Sequence, residues 1–123
     1  MTSLADASLT PAERRVLDRL LRLLRTEFGE RLHAVWLYGS RARGEPPQPE
    51  SDVDLLLVVE GDEFENLGRA CRLETEAALT EHAASTLVSM HVYSPERLAQ
   101  RREIRSFFIQ EVDRDKIVLA GEP

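Results

Sequence analysis

Apolar residues near the N-terminus recur at the spacing of one helix face. They are Leu17, Leu20, Leu21, Leu24 and Phe28. Intervals of three or four residues predict an amphipathic helix. The preceding Thr10-Pro11-Ala12-Glu13 predicts its start, with Thr10 as N-cap, proline in the first turn and Glu13 reaching back in a capping box. Gly29 predicts its end.

Later segments lose the helical spacing and become almost continuously apolar. Residues 32–38, "LHAVWLY", predict a first strand, and residues 53–59, "VDLLLVV", predict a second strand buried on both faces. The proline-rich loop "GEPPQPES" separates the two. Residues 86–93, "TLVSMHVY", predict a third strand, and "KIVLAG" near the C-terminus is short and β-like.

Helical spacing returns around the third strand. A second helix is predicted across about 62–83, with Leu67, Cys71 and Ala78 near its apolar face. Ser94-Pro95 begins a short helix, and a further amphipathic helix is marked by Ile104, Phe107, Phe108 and Val112. This order predicts an α+β (α/β-like) fold, a small mixed β-sheet flanked by helices. With 123 residues, we expect one domain over residues 1–123, of which 1–10 form an N-terminal tail.

Composition narrows the functional classes. No apolar run approaches the roughly 20 residues of a membrane span, so we expect a soluble protein without a membrane partner. The N-terminus lacks a basic leader and an apolar core, and Cys71 is the only cysteine, which favours a reducing cytoplasm. The net charge of −6 argues against loose nucleic-acid binding, and no motif predicts sequence-specific binding.

Two aspartates open the second predicted strand. Asp52 and Asp54 project from the same face, about 6 to 7 Å apart along the chain, because side chains alternate along a strand. Carboxylates that repel each other in this way suit Mg²⁺ or Mn²⁺, which take one or two protein carboxylates together with substrate phosphates. The alternative is an exposed strand start whose acids are simply solvated.

A turn of small residues follows the first predicted strand. Gly39 and Ser40 precede "RARG", a stretch able to begin a helix, and such a turn presents N–H groups and a hydroxyl to an anion. Arg41 and Arg43 would add charge-assisted contacts to a phosphate. Taken alone, "GSRARG" also fits an arginine-flanked loop. Together, turn and aspartates predict the two halves of a metal–nucleotide site.

The segment "LYGSRARGEPPQPESDVDLLLVV" resembles the signature of the DNA polymerase beta-type nucleotidyltransferase superfamily. In that signature a Gly-Ser turn is followed about a dozen residues later by Asp-x-Asp on the next strand. The short chain is similar to the minimal nucleotidyltransferases (MNT), small prokaryotic proteins often paired with a helical HEPN-type toxin, for which they serve as antitoxins.

The resemblance implies a fold like the polymerase beta palm and a set of roles. Gly39 and Ser40 would hold the β- and γ-phosphates of ATP or another NTP, and Asp52 and Asp54 would ligate two Mg²⁺ ions. An acceptor hydroxyl would attack the α-phosphorus and release pyrophosphate. The implied activity is transfer of AMP to a hydroxyl of a partner protein, a HEPN-type toxin.

The sequence departs from the family at one position. Members of the superfamily usually carry a third carboxylate on the next central strand, but residues 86–93 contain no acid, and Ser89 or His91 falls where it is expected. A neutral His91 could serve as general base, or it is only a satisfied side chain at a cleft edge. Glu96, Asp113 and Asp115 are alternative acids elsewhere, unless they are ordinary charges near helix ends.

Three readings therefore stay open. The first is the Mg²⁺-dependent protein adenylyltransferase, and the second is a catalytically degenerate nucleotide-binding antitoxin that neutralises its partner by complex formation. The third, a nucleotidyltransferase acting on an antibiotic, usually needs a second domain. Because a chain of 123 residues leaves the acceptor side of the cleft open, we expect a homo- or hetero-oligomer.

Overall fold

Four strands and four α-helices make up the fold in the computed structural model, which describes residues 4–48 and 51–123. Residues 49 and 50, in the proline-rich loop, lie outside the described residues. The elements are α1 (Pro11–Phe28), β1 (Leu32–Tyr38), β2 (Val53–Val59), α2 (Glu63–Thr80), β3 (Val88–Tyr93), α3 (Pro95–Glu103), α4 (Phe107–Asp115) and β4 (Ile117–Gly121). The predicted α+β class is confirmed.

The sheet is mixed and has the strand order β3-β2-β1-β4. Strand β1 runs antiparallel to both β2 and β4, whereas β2 and β3 are parallel. The parallel pair is joined by the crossover helix α2, as parallel strands require. Both strands that carry the predicted site, β1 and β2, lie in the centre of the sheet.

Helices cover both faces of the sheet, which explains the unbroken apolar run of β2. On one face Val53, Leu55 and Leu57 pack with α1 and α2 in the larger core cluster. On the other face Leu56 and Val58 pack with Trp36 and with residues of α3 and α4. The alternation of strand side chains supplies both clusters from the same seven residues.

Helix α1 begins and ends as the sequence predicts. The Thr10 hydroxyl accepts a hydrogen bond from the Glu13 amide at 3.1 Å, and the Glu13 carboxylate accepts one from the Thr10 amide at 2.8 Å. This reciprocal pair satisfies two amides that the first helical turn leaves open. Gly29, with φ of 55°, follows the last helical residue, Phe28.

Several predicted boundaries differ from the structure. Helix α2 ends at Thr80, because His82 turns with φ of 54° and the Ala83 amide bonds back to the Ala78 carbonyl. Strand β3 begins at Val88 instead of residue 86. Ile104 lies outside α4 and is exposed.

Cys71 is exposed, although the sequence predicted it near the apolar face of α2. The helix instead buries the stripe that contains Asn66, Ala70 and Ala77. Asn66 can be buried because its side-chain amide donates to the Glu60 carbonyl at 3.1 Å. Among the described residues, no helix is long and apolar enough to cross a membrane.

Because the α3–α4 face is a true core, we expect Leu56→Ala to lower the free energy of unfolding by about 2–5 kcal/mol. Leu56 is fully buried on that face, and its truncation leaves a cavity. Leu79→Ala is the matched control, since Leu79 is 61% exposed and its loss should change stability by at most about 0.5 kcal/mol. Equal effects in denaturant titrations would contradict a core on both faces.

Candidate active site at the ends of strands β1 and β2

The register of the sheet brings two polar residues beside Asp54. Tyr38, the last residue of β1, is paired with Asp54 across the antiparallel ladder. Ser89 is paired with Asp54 on the other side, across the parallel ladder. Asp54 shares the face of Leu56 and Val58 within β2, and Asp52 lies two residues earlier, just before the strand begins. The carboxylates therefore lie at the edge where β2 enters the sheet.

The Asp54 carboxylate lies directly over the backbone of Gly39. A Cβ atom added to Gly39 would be 2.5 Å from Asp54 Oδ2, closer than such atoms approach in proteins. Gly39 also has φ of 79°, a conformation that side-chain-bearing residues rarely adopt. Two independent constraints thus require glycine here, and they bring the turn and the carboxylate, predicted as two halves of one site, into contact.

Electrostatics at Asp54 favour a bound cation. Burial raises the pKa of the Asp54 carboxyl above its ordinary value of 3.8, and the charge of Asp52 raises it further. His91, Arg41 and Arg43 oppose this rise in pKa. The ionised form of Asp54 is therefore less favourable here than in water. A cation beside the carboxylate would offset that free-energy cost.

Residues 40–44 form a hydrogen-bonded turn and no helix begins there. The Arg43 amide donates to the Gly39 carbonyl at 3.1 Å, and the Glu45 amide donates to the Ser40 carbonyl at 3.0 Å. Within the described part of the chain, the Ser40 hydroxyl has no hydrogen-bond partner. It therefore remains available to a ligand at this turn.

Arg41 is buried beneath the turn and does not face the cleft. Only 3% exposed, it donates from Nη1 to Glu13 Oε1 at 2.5 Å and to the Ser8 carbonyl at 3.1 Å. It also donates from Nε and Nη2 to the hydroxyl and carbonyl of Ser51, each at 3.1 Å. Here Arg41 ties the turn to α1 and to the residue before Asp52. We therefore treat it as a positioning residue and not as a phosphate ligand.

Arg43 lies at the surface beside the turn. It binds Glu45 at 2.5 Å and Asp115 at 3.3 Å. Both it and Asp115 line a hollow of about 120 Å³ whose wall includes Tyr38, Gly39 and Phe108. Of the two predicted arginines, Arg43 is the one placed to reach an anion bound at the turn, after releasing the exposed Glu45 and the partly buried Asp115.

His91 and Tyr38 form a hydrogen-bonded pair on the face that bears Asp54. His91 is paired with Leu56, one side-chain step beyond Ser89, and its Nδ1 lies 2.9 Å from the Tyr38 hydroxyl. Phe108 packs against both rings, with centroid distances of 5.3 Å to His91 and 5.5 Å to Tyr38. Burial and the charge of Asp54 raise the pKa of Tyr38, so it stays a neutral hydroxyl.

The donor set fits a divalent ion that shares its coordination with a substrate. Within residues 4–48 and 51–123, no group of three or more His, Cys, Asp or Glu side chains could hold a metal ion. Asp52 and Asp54 would supply two anionic oxygens, and phosphates and water the rest, which is the usual arrangement for Mg²⁺. Ser89 occupies the neighbouring position on β3, where the third acid was expected.

The alternative acids are engaged elsewhere. Asp113 binds Arg102 at 2.9 Å and Lys116 at 2.8 Å. Asp115 binds Arg114 at 3.0 Å in addition to Arg43. The remaining candidate, Glu96, is an exposed residue in the first turn of α3. The cationic partners of Asp113 and Asp115 already balance their charges, so Asp52 and Asp54 stay the candidate carboxylate pair of the site.

Sequence reasoning missed the aromatic part of the site. Tyr38 was assigned to the first strand and Phe108 to an amphipathic helix, without a role in the site. The period of β1 could have placed Tyr38 on the face of Trp36, but only the β1–β2 register shows that it neighbours Asp54. Phe108 reaches the site from α4, and no local pattern encodes that packing.

Gly39→Ala should destabilise the protein by roughly 1–3 kcal/mol, since it combines a strained φ with the clash at Asp54. Gly68→Ala is the matched control, because Gly68 lies inside α2 and its added Cβ would come no closer than 3.8 Å to Arg72. The control should stabilise by about 0.5–1 kcal/mol. Denaturant titrations giving both changes the same sign would refute the close approach.

Asp54→Asn should raise the melting temperature at pH 7 and leave it unchanged near pH 3. The raised pKa of Asp54 means that stability falls as pH rises from 3.8 through the folded-state pKa, and the amide removes this penalty. Below that range both states are protonated and the difference vanishes.

Asp113→Asn is the control of opposite sign for Asp54→Asn. Burial opposes ionisation of Asp113, but hydrogen bonds from Arg102 and Lys116 outweigh it and lower the pKa. Its removal should therefore destabilise at pH 7. The measurement is the melting temperature of both variants at pH 7 and near pH 3. A lower melting temperature for Asp54→Asn than for the parent chain at pH 7 would show that ionised Asp54 is not destabilising.

Comparisons with known proteins agree with this fold. The family model described as nucleotidyltransferase domain matches residues 17–118. A solved toxin–antitoxin MntA–HpeT mutant is similar with a TM-score of 0.51 and 20% identity, over 85% of this chain and 72% of that chain. A candidate nucleotidyltransferase from Sulfolobus solfataricus is similar with a TM-score of 0.52 and 18% identity, over 93% of this chain and 90% of that chain.

These two likenesses show the fold, and a search of curated proteins gave no match. The family model covers most of the chain and spans the turn at Gly39 and Ser40, both aspartates and β3. The protein therefore belongs to the nucleotidyltransferase domain family.

Proposed function

We propose that this protein is a Mg²⁺-dependent nucleotidyltransferase that moves AMP from ATP to a hydroxyl of a partner protein, a HEPN-type toxin, and so acts as its antitoxin. The observation that carries the proposal is the Asp54 carboxylate, which lies over Gly39 with its pKa raised by burial and by Asp52. A half-buried pair of like charges against an anion-binding turn suits a cation that bridges carboxylates and phosphates.

Each residue around the turn has a separate role in this proposal. Ser40 would donate its hydroxyl, and the turn its amides, to the terminal phosphates of the nucleotide. Arg43 would add a charge-assisted hydrogen bond at the rim of the hollow. Buried Arg41 would keep the turn at a fixed distance from Ser51 and hence from Asp52. Tyr38 would hold the His91 ring in one orientation through Nδ1.

The reaction is a substitution at the α-phosphorus. The acceptor oxygen forms a bond to that phosphorus, the bond to the β-phosphate oxygen breaks, and pyrophosphate leaves with the electron pair. A divalent ion bound by Asp52 and Asp54 would neutralise phosphate charge and lower the pKa of the acceptor hydroxyl. His91 is the candidate to accept the hydroxyl proton, since it is exposed on the face that bears Asp54.

The nature of the acceptor is argued from the surface and from a structural neighbour. The net charge of −6 opposes a nucleic-acid acceptor. One of the similar structures is a toxin–antitoxin pair, MntA–HpeT. A protein acceptor would also supply a wall to the cleft, so we propose that the working state is a complex or an oligomer, within a reducing cytoplasm.

One observation favours a second function, a catalytically degenerate antitoxin. Ser89 lies directly beside Asp54, where the family usually carries its third carboxylate. Without that acid the site has one anionic ligand fewer, and a second divalent ion would be held more weakly. In this alternative the chain binds a nucleotide and neutralises the toxin through complex formation alone.

Intact mass of the HEPN-type partner separates the two functions. After incubation with this protein, Mg²⁺ and each NTP in turn, we expect nucleotide-monophosphate adducts with ATP. They should disappear with Asp52→Asn/Asp54→Asn, because the amides cannot hold the ion. The charge-matched control, Asp18→Asn/Glu103→Gln, changes two exposed residues and should retain the adducts. A stable complex without adducts from any nucleotide would replace the transferase with the degenerate antitoxin.

A further inference from the structure

Glu74 is a second strained carboxylate, and the proposed active site does not use it. It belongs to α2, which packs on the sheet face opposite the one bearing Asp54. Burial raises its pKa, as it does for Asp54. Within the described residues, no hydrogen bond or ion pair reaches its carboxylate. A partly buried carboxylate without a cation is unfavourable in the isolated chain.

Glu74 lines a groove between α2 and the segment leading into β3, here named the α2–β3 groove. Its volume is about 260 Å³. Helix α2 contributes Glu74, Ala78 and Leu79, and the following segment contributes Ala84, Thr86 and Leu87. Leu79 is 61% exposed and Leu87 is 55% exposed. The groove therefore combines one unpaired anion with two large apolar side chains in water.

The position of the groove suits a protein ligand. Strand β3 is at the edge of the sheet and pairs only with β2 among the described strands. The exposed backbone of an edge strand and a neighbouring apolar surface are features of binding surfaces. A ligand complementary to one carboxylate among apolar side chains carries a cation flanked by apolar groups.

We infer that the α2–β3 groove is a docking site for an amphipathic segment of the partner protein, which places one Arg or Lys against Glu74 and apolar side chains against Leu79 and Leu87. This inference rests on the proposed function, because it takes the toxin as the partner. The groove is a second surface, apart from the proposed transferase site. Binding of the partner and its modification would therefore depend on different residues.

A second copy of the chain fits the groove less well. A two-fold interface centred on it would bring the two Glu74 carboxylates toward each other, and like charges oppose such an interface. The neighbouring exposed Glu76 of α2 would add to the repulsion. A partner with a basic residue removes the strain at Glu74, whereas a second acidic surface increases it.

The test measures the affinity of the complete chain for its HEPN-type toxin by calorimetry. Glu74→Gln and Leu87→Asp should each weaken the complex about tenfold or more. The first removes the charge that pairs with an Arg or Lys, and the second removes an apolar contact. The controls are Glu76→Gln, an exposed acid on the same helix, and Ile104→Asp. Ile104 is 55% exposed, like Leu87, but lies outside the groove. Both controls should bind within about twofold of the parent chain.

Glu74→Gln carries a second signature that a merely structural residue would lack. It should raise the melting temperature of the free chain at pH 7 while weakening the complex, because it removes an unpaired partly buried charge. A lower melting temperature together with weaker binding would assign Glu74 to the fold and overturn the inference.

The remaining outcomes distinguish this inference from the proposed function. If the parent chain binds no toxin, the proposed function fails and the inference fails with it. If both groove variants bind like the parent, the inference alone fails and the transferase proposal stands. If the free chain is a dimer by light scattering and Leu87→Asp makes it a monomer, the occupant is a second copy, which also overturns the inference.

Discussion

The arrangement of the site depends on the close approach of the Asp54 carboxylate to the backbone of Gly39. The antiparallel register of β1 and β2 sets the approach, because Tyr38 and Asp54 are opposite each other and Gly39 follows immediately. A Cβ at that point would force Oδ2 to shift. One contact therefore couples the end of one central strand to the start of the next, and brings an anion-binding turn against a carboxylate.

Buried Arg41 keeps that contact in place. Its guanidinium links Ser8, Glu13 and Ser51, so the first turn of α1 and the loop end before Asp52 are held by one side chain. Glu13 serves both this pair and the capping box. Burial opposes ionisation of Glu13, but hydrogen bonds from Arg41 and the Thr10 amide lower its pKa. The predicted tail covers residues 1–10, and within its described part the Ser8 carbonyl accepts a hydrogen bond from Arg41.

The sequence predicts helices and strands better than it predicts which side chains contact each other. Strands β1 and β2 match their predicted bounds because turn residues and charges interrupt their apolar runs. The Gly-Ser turn after β1 and the two aspartates around the start of β2 could be located from the sequence because both are local patterns, and their roles in a site stay predictions. The role of Arg41 was not, because its partners lie 28 residues before it and 10 after it. The arginine itself indicates only a cation, and tertiary packing decides whether that cation meets phosphate or protein.

Burial acts on Asp54 and on Glu74 in the same way. Each is a carboxylate whose pKa burial raises. His91, Arg41 and Arg43 oppose the rise at Asp54 without cancelling it, and within the described residues no hydrogen bond or ion pair reaches the Glu74 carboxylate. A neighbouring hollow of about 430 Å³ shares Thr86 and Leu87 with the α2–β3 groove and extends to Ser51, but neither Asp52 nor Asp54 lines it. Ser51 immediately precedes Asp52. A partner seated at Glu74 would therefore lie beside a hollow that leads toward the start of β2, where the proposed metal-binding aspartates are found.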